Sequence, residues 1–352
     1  MDLQKLTTGK ARWLTNGADV AIATKVRLAR NLSGFHFGDN ATASVRTRIV
    51  EMVKDLLPQL SETEFPYFFD LRTEPVLTRQ VLVERKVISR KFESLTHPRG
   101  VGVSKDFSRA ILVNSDDHLR LYSTLPSSSI EEVFESADKI DTELSSHMDY
   151  AYDDQFGYLT TSLSNVGTGM KTLAVLHLPA LSIMNELGKA VRAVRDIGLV
   201  IQSFVHNAKG RNSAGHLYSV ANTKTLGVSE ADIIASLGKY IPHLVSYEQK
   251  ARDALLGADK RKLMEDKMGR TIGLLKNARM LSIHEAMDNL SILRLGARLD
   301  MLPDAAGKLL FDNFFDIQDA HIQAGAGREM SSTEKKSDRA DLVRTVLSTV
   351  LN

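Results

Sequence analysis

The pattern of hydrophobic residues along the chain is of two kinds, and the first gives way to the second near residue 247. Before that point, short apolar runs between polar turns predict strands, and stretches of helical spacing such as Ala43–Leu60 lie among them. After it, helix formers dominate and residues 247–281 contain no proline. We therefore predict an α/β domain over residues 1–246, with its core from about residue 20, and an all-helical domain over residues 247–352.

The stretch Arg109–Ser123 (RAILVNSDDHLRLYS) carries the most chemistry of the predicted strands. Ala110–Val113 and Leu119–Leu121 are apolar-rich runs on either side of a polar turn, which is the pattern of a β-hairpin. At the turn lie two carboxylates, an imidazole and a guanidinium: Asp116, Asp117, His118 and Arg120. A candidate base therefore lies beside a candidate phosphate-binding arginine, although a solvated hairpin tip explains the same residues.

Charged side chains also lie within a predicted strand at Val20–Leu32. Its alternation places Lys25 and Arg27 on one face of that strand. These two cations either point together towards a site or belong to an ordinary polar face of a sheet. Farther along, Gly198–Val205 has the pattern of a buried strand, and Leu181–Ile197 has the spacing of a helix.

The segment Tyr158–Met170 (YLTTSLSNVGTGM) is a strand candidate that leads into a glycine-containing turn, and Lys171 follows directly. Gly167 and Gly169 permit a positive φ and a close approach of backbone. A lone Gly-Thr-Gly is weak support for phosphate binding.

Local signals mark several helices. Phe311–Gln323 and Ala340–Leu351 have helical spacing and are separated by the polar segment 324–338. Three serines stand where a helix cap is expected, at the start of Ser129-x-x-Glu132, Ser229-x-x-Asp232 and Ser282-x-x-Glu285.

Composition narrows the classes of function. The 352 residues are 43% hydrophobic and 25% charged, which is ordinary for a globular protein of two domains. A formal charge of +2 gives no overall excess that would indicate nucleic acid, although local clusters could bind phosphate. The absence of cysteine excludes disulfides, thiolate metal sites and a cysteine nucleophile. Without an apolar leader or an 18-residue apolar segment, we expect a cytoplasmic protein with no membrane partner.

Three separate motifs, which occur along the chain in the order typical of the family, resemble the ATP:guanidino phosphotransferases (phosphagen kinases). VNSDDHLRL is similar to the family's N-E-E-D-H-L/I-R, YLTTSLSNVGTGM to Y-L-T-x-C-P-x-N-V/L-G-T-G, and TKVRLARN to S-R-[IV]-R-x-[AG]-R. The short N-terminal part and LSILRLGARLDML in the helical half resemble the bacterial protein-arginine kinase branch. The resemblance covers roughly residues 20–350. It implies a largely antiparallel sheet flanked by helices, followed by an all-helical domain.

The resemblance also implies a reaction. A guanidinium nitrogen attacks the γ-phosphorus of ATP, bound with Mg²⁺, in line, while carboxylates hold the guanidinium and a ring of arginines holds the phosphates. Arg27 and Arg120 fall on two of these arginine positions. Asp116 stands in place of the first catalytic glutamate and is shorter by one methylene. No metal-ligating residue of the protein is implied.

The remaining nucleotide positions depart from the family pattern. Lys25 and Lys171 replace arginines, which keeps the charge but loses the planar, bidentate fork. Lys86 stands where the branch has a nucleotide-contacting histidine. Gln202 replaces an arginine, and there the charge itself is lost.

Two further catalytic positions and the helical domain depart as well. Ser162 replaces the family's cysteine, and Asn207 falls on the second glutamate position if the longer adjoining loop is aligned correctly. The branch carries a phosphoarginine-binding R-D-x-x-R-A motif, and the matching run is Lys335–Ala340 (KKSDRA). Arg339 and Ala340 match the last two residues of the motif. Lys335 stands at the position of its first arginine, and Lys336 at the position of its aspartate. A solvated helix N-terminus explains residues 335–338 equally.

These departures predict slow chemistry. Loss of one transition-state arginine costs on the order of 10³–10⁵ in rate, and loss of an acid or base roughly 10²–10⁴. Three functions stay open: a protein-arginine kinase with a modified site that marks proteins for degradation, a pseudokinase with weak or absent nucleotide binding that acts through partners, and a kinase for a small guanidino compound. The third lacks support because the long helical N-terminal domain of the small-molecule enzymes is missing.

The resemblance implies partners of several kinds. They are a second copy of the chain in a homodimer, a zinc-binding activator protein, a protein-unfoldase/protease machine, and protein arginine substrates if the enzyme is active.

Overall fold

The structure is a computed structural model, and it describes residues 3–9, 11, 13–15, 18–60, 63–126, 129–205 and 213–351. The strands in chain order are β1 (Ala21–Arg30), β2 (Tyr67–Asp70), β3 (Gly100–Val103), β4 (Arg109–Val113), β5 (Leu119–Pro126), β6 (Tyr152–Asp153), β7 (Gly157–Tyr158), β8 (Met170–His177), β9 (Leu199–Ser203) and β10 (Leu217–Asn222).

Helices flank these strands and dominate the last third of the chain. In chain order they are α1 (Leu3–Thr8), α2 (Ala43–Leu56), α3 (Val76–Glu84), α4 (Arg90–Ser94), α5 (Ile130–Ser145), α6 (Pro179–Ile183), α7 (Leu187–Asp196), α8 (Glu230–Leu255), α9 (Ala258–Asn277), α10 (Ile283–Arg298), α11 (Asp304–Asp312), α12 (Asp319–Ala326) and α13 (Ser332–Ser348).

Eight of the strands form one sheet in the order β2-β3-β4-β5-β1-β8-β10-β9, and β6 pairs with β7. The pairs β2–β3, β3–β4, β4–β5 and β5–β1 are antiparallel. The predicted fold, a largely antiparallel sheet with flanking helices and a helical C-terminal part, is confirmed. The hairpin predicted in Arg109–Ser123 is formed by β4 and β5, with β1 beside it.

The register of β1 and β5 decides which side chains share a face. Arg27 lies opposite Tyr122, and opposed residues of an antiparallel pair project to the same side. Because alternate residues of a strand share a face, Lys25 and Arg120 project to that side as well. The opposite face of β1 carries the buried side chains of Val26, Leu28 and Arg30.

Helix α5 covers part of this sheet. Ser129 caps it, since its hydroxyl accepts the N–H of Glu132 at 3.2 Å, as the Ser-x-x-Glu motif predicts. Its inward residues recur at helical spacing and pack against β5. They are Ile130, Val133, Ala137, Ile140 and Leu144.

The LSILRLGARLDML motif lies on α10 and the turn after it. Residues 290–297 are all buried, as expected of a helix surrounded by others, and α10 packs against α9, α11 and α13. Arg294 donates to the carbonyl oxygens of Gly307, at 3.0 Å, and Ala18. The motif therefore forms the centre of the helical part.

The chain forms two compact units. The first comprises Met1–Trp13, Ala23–Ala174 and Ala221–Lys239, and the second Leu14–Ile22, Val175–Val220 and Tyr240–Asn352. Helix α8 runs through residue 246, where we placed the domain boundary, and that boundary stays a prediction. Among the described residues, no helix combines the length and the apolar character that a membrane crossing requires.

Two segments of the α/β part differ from their predicted form. Only the first residue of Tyr158–Met170 belongs to β7 and only the last to β8, and the residues between follow an irregular path. The helix predicted over Leu181–Ile197 is broken into α6 and α7 at Asn185, whose φ is +58°.

Two other segments also differ. β9, predicted as buried, lies at the edge of the sheet, and Gln202 on it is exposed. The helix predicted over Ala340–Leu351 begins eight residues earlier as α13, because Ser331 and Glu334 form a reciprocal capping box.

Candidate active site

The turn between β4 and β5 holds its two carboxylates at different depths. Asp117 is buried, and its Oδ1 accepts hydrogen bonds from the side-chain amide of Asn31 at 3.2 Å and from the backbone N–H of Thr161 at 2.8 Å. The side chain of Asp116 is 32% exposed. The accessible carboxylate is therefore that of Asp116.

His118, the third candidate base of the turn, has a structural role. Its Nδ1 accepts the N–H of Leu32 at 3.0 Å, so the ring proton lies on Nε2 and is donated to the carbonyl oxygen of His36 at 3.1 Å. Burial, reinforced by the charge of Arg46, lowers the pKa of His118. A buried neutral imidazole with both nitrogens engaged is not available as a base.

Asp116 is held by two cations. Its Oδ2 accepts a hydrogen bond from Arg120 at 2.6 Å, and its Oδ1 accepts one from Lys91 at 2.8 Å. Partial burial alone would raise the pKa of Asp116, but the Lys91 hydrogen bond and the charge of Arg120 outweigh it and the pKa is lowered. The carboxylate is thus ionised at neutral pH.

Two arginines face the same side of the sheet beside this carboxylate. The guanidinium of Arg120 also lies 3.8 Å from Asp117. Burial and repulsion by Arg120 lower the pKa of Arg27 to about 10, although Asp117 and Asp116 partly offset them. The Nε atoms of Arg27 and Arg120 are buried and have no hydrogen-bond partner among the residues that the structure describes. Unpartnered buried donors of this kind fit an anion.

Lys25 and Lys86 extend the positive charge. The ammonium of Lys25 donates to the carbonyl oxygen of Lys86 at 3.3 Å and lies 3.5 Å from the centre of the Tyr122 ring. Burial, then the charges of Arg27 and Lys86, lower the pKa of Lys25 to about 7. Burial, then the charge of Arg90, lowers the pKa of Lys86 to about 8.

Lys171 belongs to the same group. It donates to the carbonyl oxygens of Thr223, at 2.9 Å, and Asn222, at 3.4 Å. Burial and the charge of Arg27 lower its pKa. The structure therefore brings together five predicted nucleotide-binding residues, called here the cation cluster: Lys25, Arg27, Lys86, Arg120 and Lys171.

The glycine turn before Lys171 is explained by backbone packing. Gly167 has φ +105°, and a Cβ there would lie 2.1 Å from the carbonyl oxygen of Thr225. Gly169 has φ +65°, and a Cβ there would lie 2.6 Å from the carbonyl oxygen of Ala29. Both glycines are needed to seat this turn between neighbouring segments, whether or not phosphate binds there.

The structure gives fewer contacts for the other predicted catalytic residues. Ser162 is half-buried, and its hydroxyl lies 2.9 Å from that of Ser164. Its neighbour Thr161 donates to the carbonyl oxygen of Asp116 at 2.8 Å, which brings this segment to the hairpin turn. Asn207 lies outside the described residues. Roles for Ser162, Gln202 and Asn207 stay predictions.

The predicted phosphoarginine motif lies at the start of α13. Lys335 is partly exposed and Lys336 exposed, as for a solvated helix N-terminus. Arg339 and Ala340 are buried. Arg339 donates to the carbonyl oxygens of Ile317 and Leu281 and to the carboxylate of Asp319. Phosphoarginine could reach this guanidinium only if some of these bonds were broken.

Sequence reasoning missed three residues at the site. Alternation along β5 could have placed Tyr122 beside Arg120, but its contact with Lys25 depends on strand pairing. Lys91 and Thr161 meet Asp116 across 25 and 45 residues of chain, and no local pattern marks them. Within the described part of the chain, no three His, Asp or Glu side chains form a group that could hold a metal ion.

Family models match two consecutive parts of the chain. Residues 48–251 match the ATP:guanido phosphotransferase C-terminal catalytic domain, and residues 261–352 match the protein-arginine kinase McsB C-terminal domain. The protein-arginine kinase of Moorella thermoacetica is 34% identical over 346 residues, covering 96% of this chain and 97% of that protein. That of Syntrophomonas wolfei is 34% identical over 338 residues, covering 94% and 92%.

Solved structures share the fold at lower identity. A duplicated taurocyamine kinase from Schistosoma mansoni superposes with a TM-score of 0.61 at 21% identity, covering 82% of this chain and 40% of that one. A lombricine kinase superposes with a TM-score of 0.57 at 18% identity, covering 74% and 72%. The two family matches and the relatives of full length decide the assignment: the chain belongs to the ATP:guanido phosphotransferases, in their bacterial protein-arginine kinase branch.

Proposed function

We propose that the protein is a protein-arginine-kinase-like ATP:guanidino phosphotransferase whose phosphoryl transfer is weak or lost, so that it acts as a pseudokinase through partners. The observation that carries the proposal is the cation cluster beside Asp116, in which the buried Nε atoms of Arg27 and Arg120 lack partners among the described residues. The cluster supports retained phosphate binding. The substitutions within it, together with those at the other positions that the family resemblance marks as catalytic, support a loss of rate.

The cation cluster fits the phosphates of a nucleotide. Arg27 and Arg120 would hold them through guanidinium donors, and Lys25, Lys86 and Lys171 would add point charges without a planar fork. Bound ATP supplies the γ-phosphoryl group, and Mg²⁺ would enter with the phosphates. With three lysines in the cluster, weak nucleotide binding is part of the proposal.

Asp116 would hold the substrate guanidinium but serve poorly as a base. A carboxylate accepts two parallel N–H groups of a guanidinium well when it is ionised. General-base catalysis is most efficient when the pKa lies near the working pH, and the pKa of Asp116 is lowered by Lys91 and Arg120. The shorter side chain also reaches less far than a glutamate, and about 1 Å of misplacement can cost roughly 10² in rate.

Substitutions at other predicted catalytic positions also favour a low rate of phosphoryl transfer. Gln202 carries no charge to stabilise the transferring phosphoryl group. Asn207, if aligned correctly, offers no second carboxylate, and Ser162 cannot form a thiolate. The reductions in rate caused by the separate substitutions do not simply multiply, because catalytic groups act as a unit.

An active protein-arginine kinase that marks proteins for degradation is the alternative. It is favoured by the curated relatives, which carry that name at 31–34% identity over most of this chain. A small-molecule guanidino kinase is the third candidate, and the taurocyamine and lombricine kinases support it by fold alone.

The proposal includes a cytoplasmic homodimer. Leu263 and Leu274 on α9 are 68% and 37% exposed, and eleven residues bring them to one face of the helix after about three turns. Such a face supports a contact between two copies. A zinc-binding activator, a protein-unfoldase/protease machine and protein arginine substrates are proposed as further partners from the family resemblance.

The test incubates the protein with MgATP and an arginine-rich protein and detects acid-labile phosphoarginine by mass spectrometry. We expect little or no labelling, and recovery of labelling in the double variant Gln202→Arg with Asn207→Glu. Robust labelling by the unmodified protein that disappears in Asp116→Ala would show that the pseudokinase proposal is wrong and that the active kinase is correct.

A further inference from the structure

The carboxylate of Asp116 lies between two cations that come from different elements. Arg120 contacts its Oδ2 at 2.6 Å and Lys91 contacts its Oδ1 at 2.8 Å. Arg120 lies on β5 with 14% of its side chain exposed, whereas Lys91 lies on α4 with 73% exposed. One partner is therefore confined by its surroundings, and the other can swing into solvent.

Helix α4 holds the backbone of Lys91 within reach of Asp116. Ser89 caps this helix by accepting the N–H of Phe92 at 3.1 Å, and the Phe92 ring is buried. The buried Arg99 donates to the carbonyl oxygen of Phe92 at 2.9 Å. With the backbone fixed in this way, rotation of the Lys91 side chain is enough to make or break the ion pair.

The two cations leave Asp116 without a free pair of oxygens. A guanidinium binds a carboxylate best through two parallel N–H groups, one on each oxygen. A lysine ammonium is a compact point charge and covers a single oxygen. Each carboxylate oxygen has a second lone pair, so Arg120 can stay on Oδ2 while a guanidinium binds, but at Oδ1 the guanidinium must compete with the ammonium of Lys91.

We propose that Lys91 gates this site: its ammonium occupies the Asp116 oxygen that a substrate guanidinium needs, and the guanidinium must displace it. The inference rests on the proposed function, because it takes Asp116 as the guanidinium-holding carboxylate. Lys91 acts through Asp116 and does not itself need to contact the substrate. Since exposed ion pairs are weak, removing the ammonium should tighten guanidinium binding by up to about fivefold at low salt.

The test measures guanidinium binding directly, without phosphoryl transfer. Methylguanidinium chloride is titrated at low ionic strength into protein labelled with ¹³C-aspartate, and NMR follows the carboxyl signal of Asp116, assigned with Asp116→Asn. Lys91→Met should lower the dissociation constant up to about fivefold, and Lys91→Arg should not lower it. The control Lys105→Met removes an exposed lysine at the other end of β4 and should leave the constant unchanged.

Equal dissociation constants in the unmodified protein and Lys91→Met would overturn the gate. So would a failure of methylguanidinium to shift the Asp116 signal in both proteins. Phosphoarginine formation with MgATP is measured separately. Tighter binding by Lys91→Met together with robust labelling would keep the gate and reject the pseudokinase, whereas equal binding without labelling would do the reverse.

Discussion

Arg27 and Arg339 are two arginines to which the family resemblance assigns binding roles, and their surroundings differ. Arg27 is half-buried on β1 among other cations, and its Nε has no hydrogen-bond partner within the described ranges. Arg339 is 1% exposed on α13 and donates to Ile317, Leu281 and Asp319. The first guanidinium keeps donors for a ligand, and the second uses its donors to join helices and turns of the second unit.

The difference shows what turns an arginine into a binding residue. Burial and the neighbouring Arg120 lower the pKa of Arg27, which means that its charge is poorly solvated and repelled. A polyanion would relieve both effects. Arg339 already has an anion and two carbonyl oxygens as partners, so a ligand would have to replace bonds on which the local fold depends.

The largest expected effect is on stability. Arg339→Ala would leave the buried carbonyl oxygens of Ile317 and Leu281 without this donor and Asp319 without its partner. Hydrogen bonds to a charged group contribute roughly 1.5–3 kcal/mol each and are not additive, so we expect a loss of about 3 kcal/mol in the free energy of unfolding. Urea denaturation followed by circular dichroism measures it.

A nearby arginine provides the matched control. Arg328 is 58% exposed and pairs with Glu334 at 2.8 Å, so Arg328→Ala should change the free energy of unfolding by less than about 1 kcal/mol. Equal losses in the two variants would mean that the contacts of Arg339 do not stabilise the second unit, and the contrast with Arg27 would fail.

The next effect concerns ligand binding. Arg27→Met removes a guanidinium from the cation cluster and should weaken nucleotide binding by roughly 10- to 100-fold, the equivalent of one charged hydrogen bond. Stability should change little, because the native partners of Arg27 are few and its neighbours repel it. Fluorescence titration with a labelled ATP analogue and urea denaturation measure the two quantities. A large loss of stability with unchanged affinity would reverse the roles assigned to Arg27 and Arg339.

Local patterns predicted much of the fold. Alternation predicted β1, and two apolar-rich runs around a polar turn predicted β4 and β5. Ser129 and Ser282 cap helices as their motifs indicate. The early start of α13 was also within reach, because Ser331 and Glu334 form a capping box that the sequence displays. What failed, as in Tyr158–Met170, depends on packing: that segment follows backbone from Thr225 and Ala29, far away in the chain.

The sequence predicted which types of residue form the site, but it predicted less about the surroundings of each side chain. Spacing could not show that His118 is buried with both nitrogens bonded while Asp116 is accessible, because Leu32, Asn31 and Thr161 impose that difference from a distance. The cluster's cations were predicted from the resemblance, but their mutual repulsion follows from strand register.

The smallest effect is a dependence of nucleotide affinity on pH. In the free protein Lys25 has a pKa of about 7 and Lys86 one of about 8, so both are protonated below these values and neutral above them. Phosphate oxygens bind the charged form and raise its pKa, so affinity should be highest below pH 7 and fall as the pH rises through 7 and 8. Each lysine can contribute at most about tenfold per pH unit, and because both also keep contacts within the protein we expect only a severalfold loss between pH 6.5 and 9.

Lys25→Arg separates this titration from that of the nucleotide itself. An arginine at this position stays charged across the range, so its variant should show a shallower decline, and the remaining decline should come from Lys86. Titrations with the same labelled ATP analogue at each pH supply both curves. Parallel curves for the two proteins would mean that Lys25 keeps its charge throughout, and the repulsion that distinguishes Arg27 from Arg339 would then be weaker than the structure indicates.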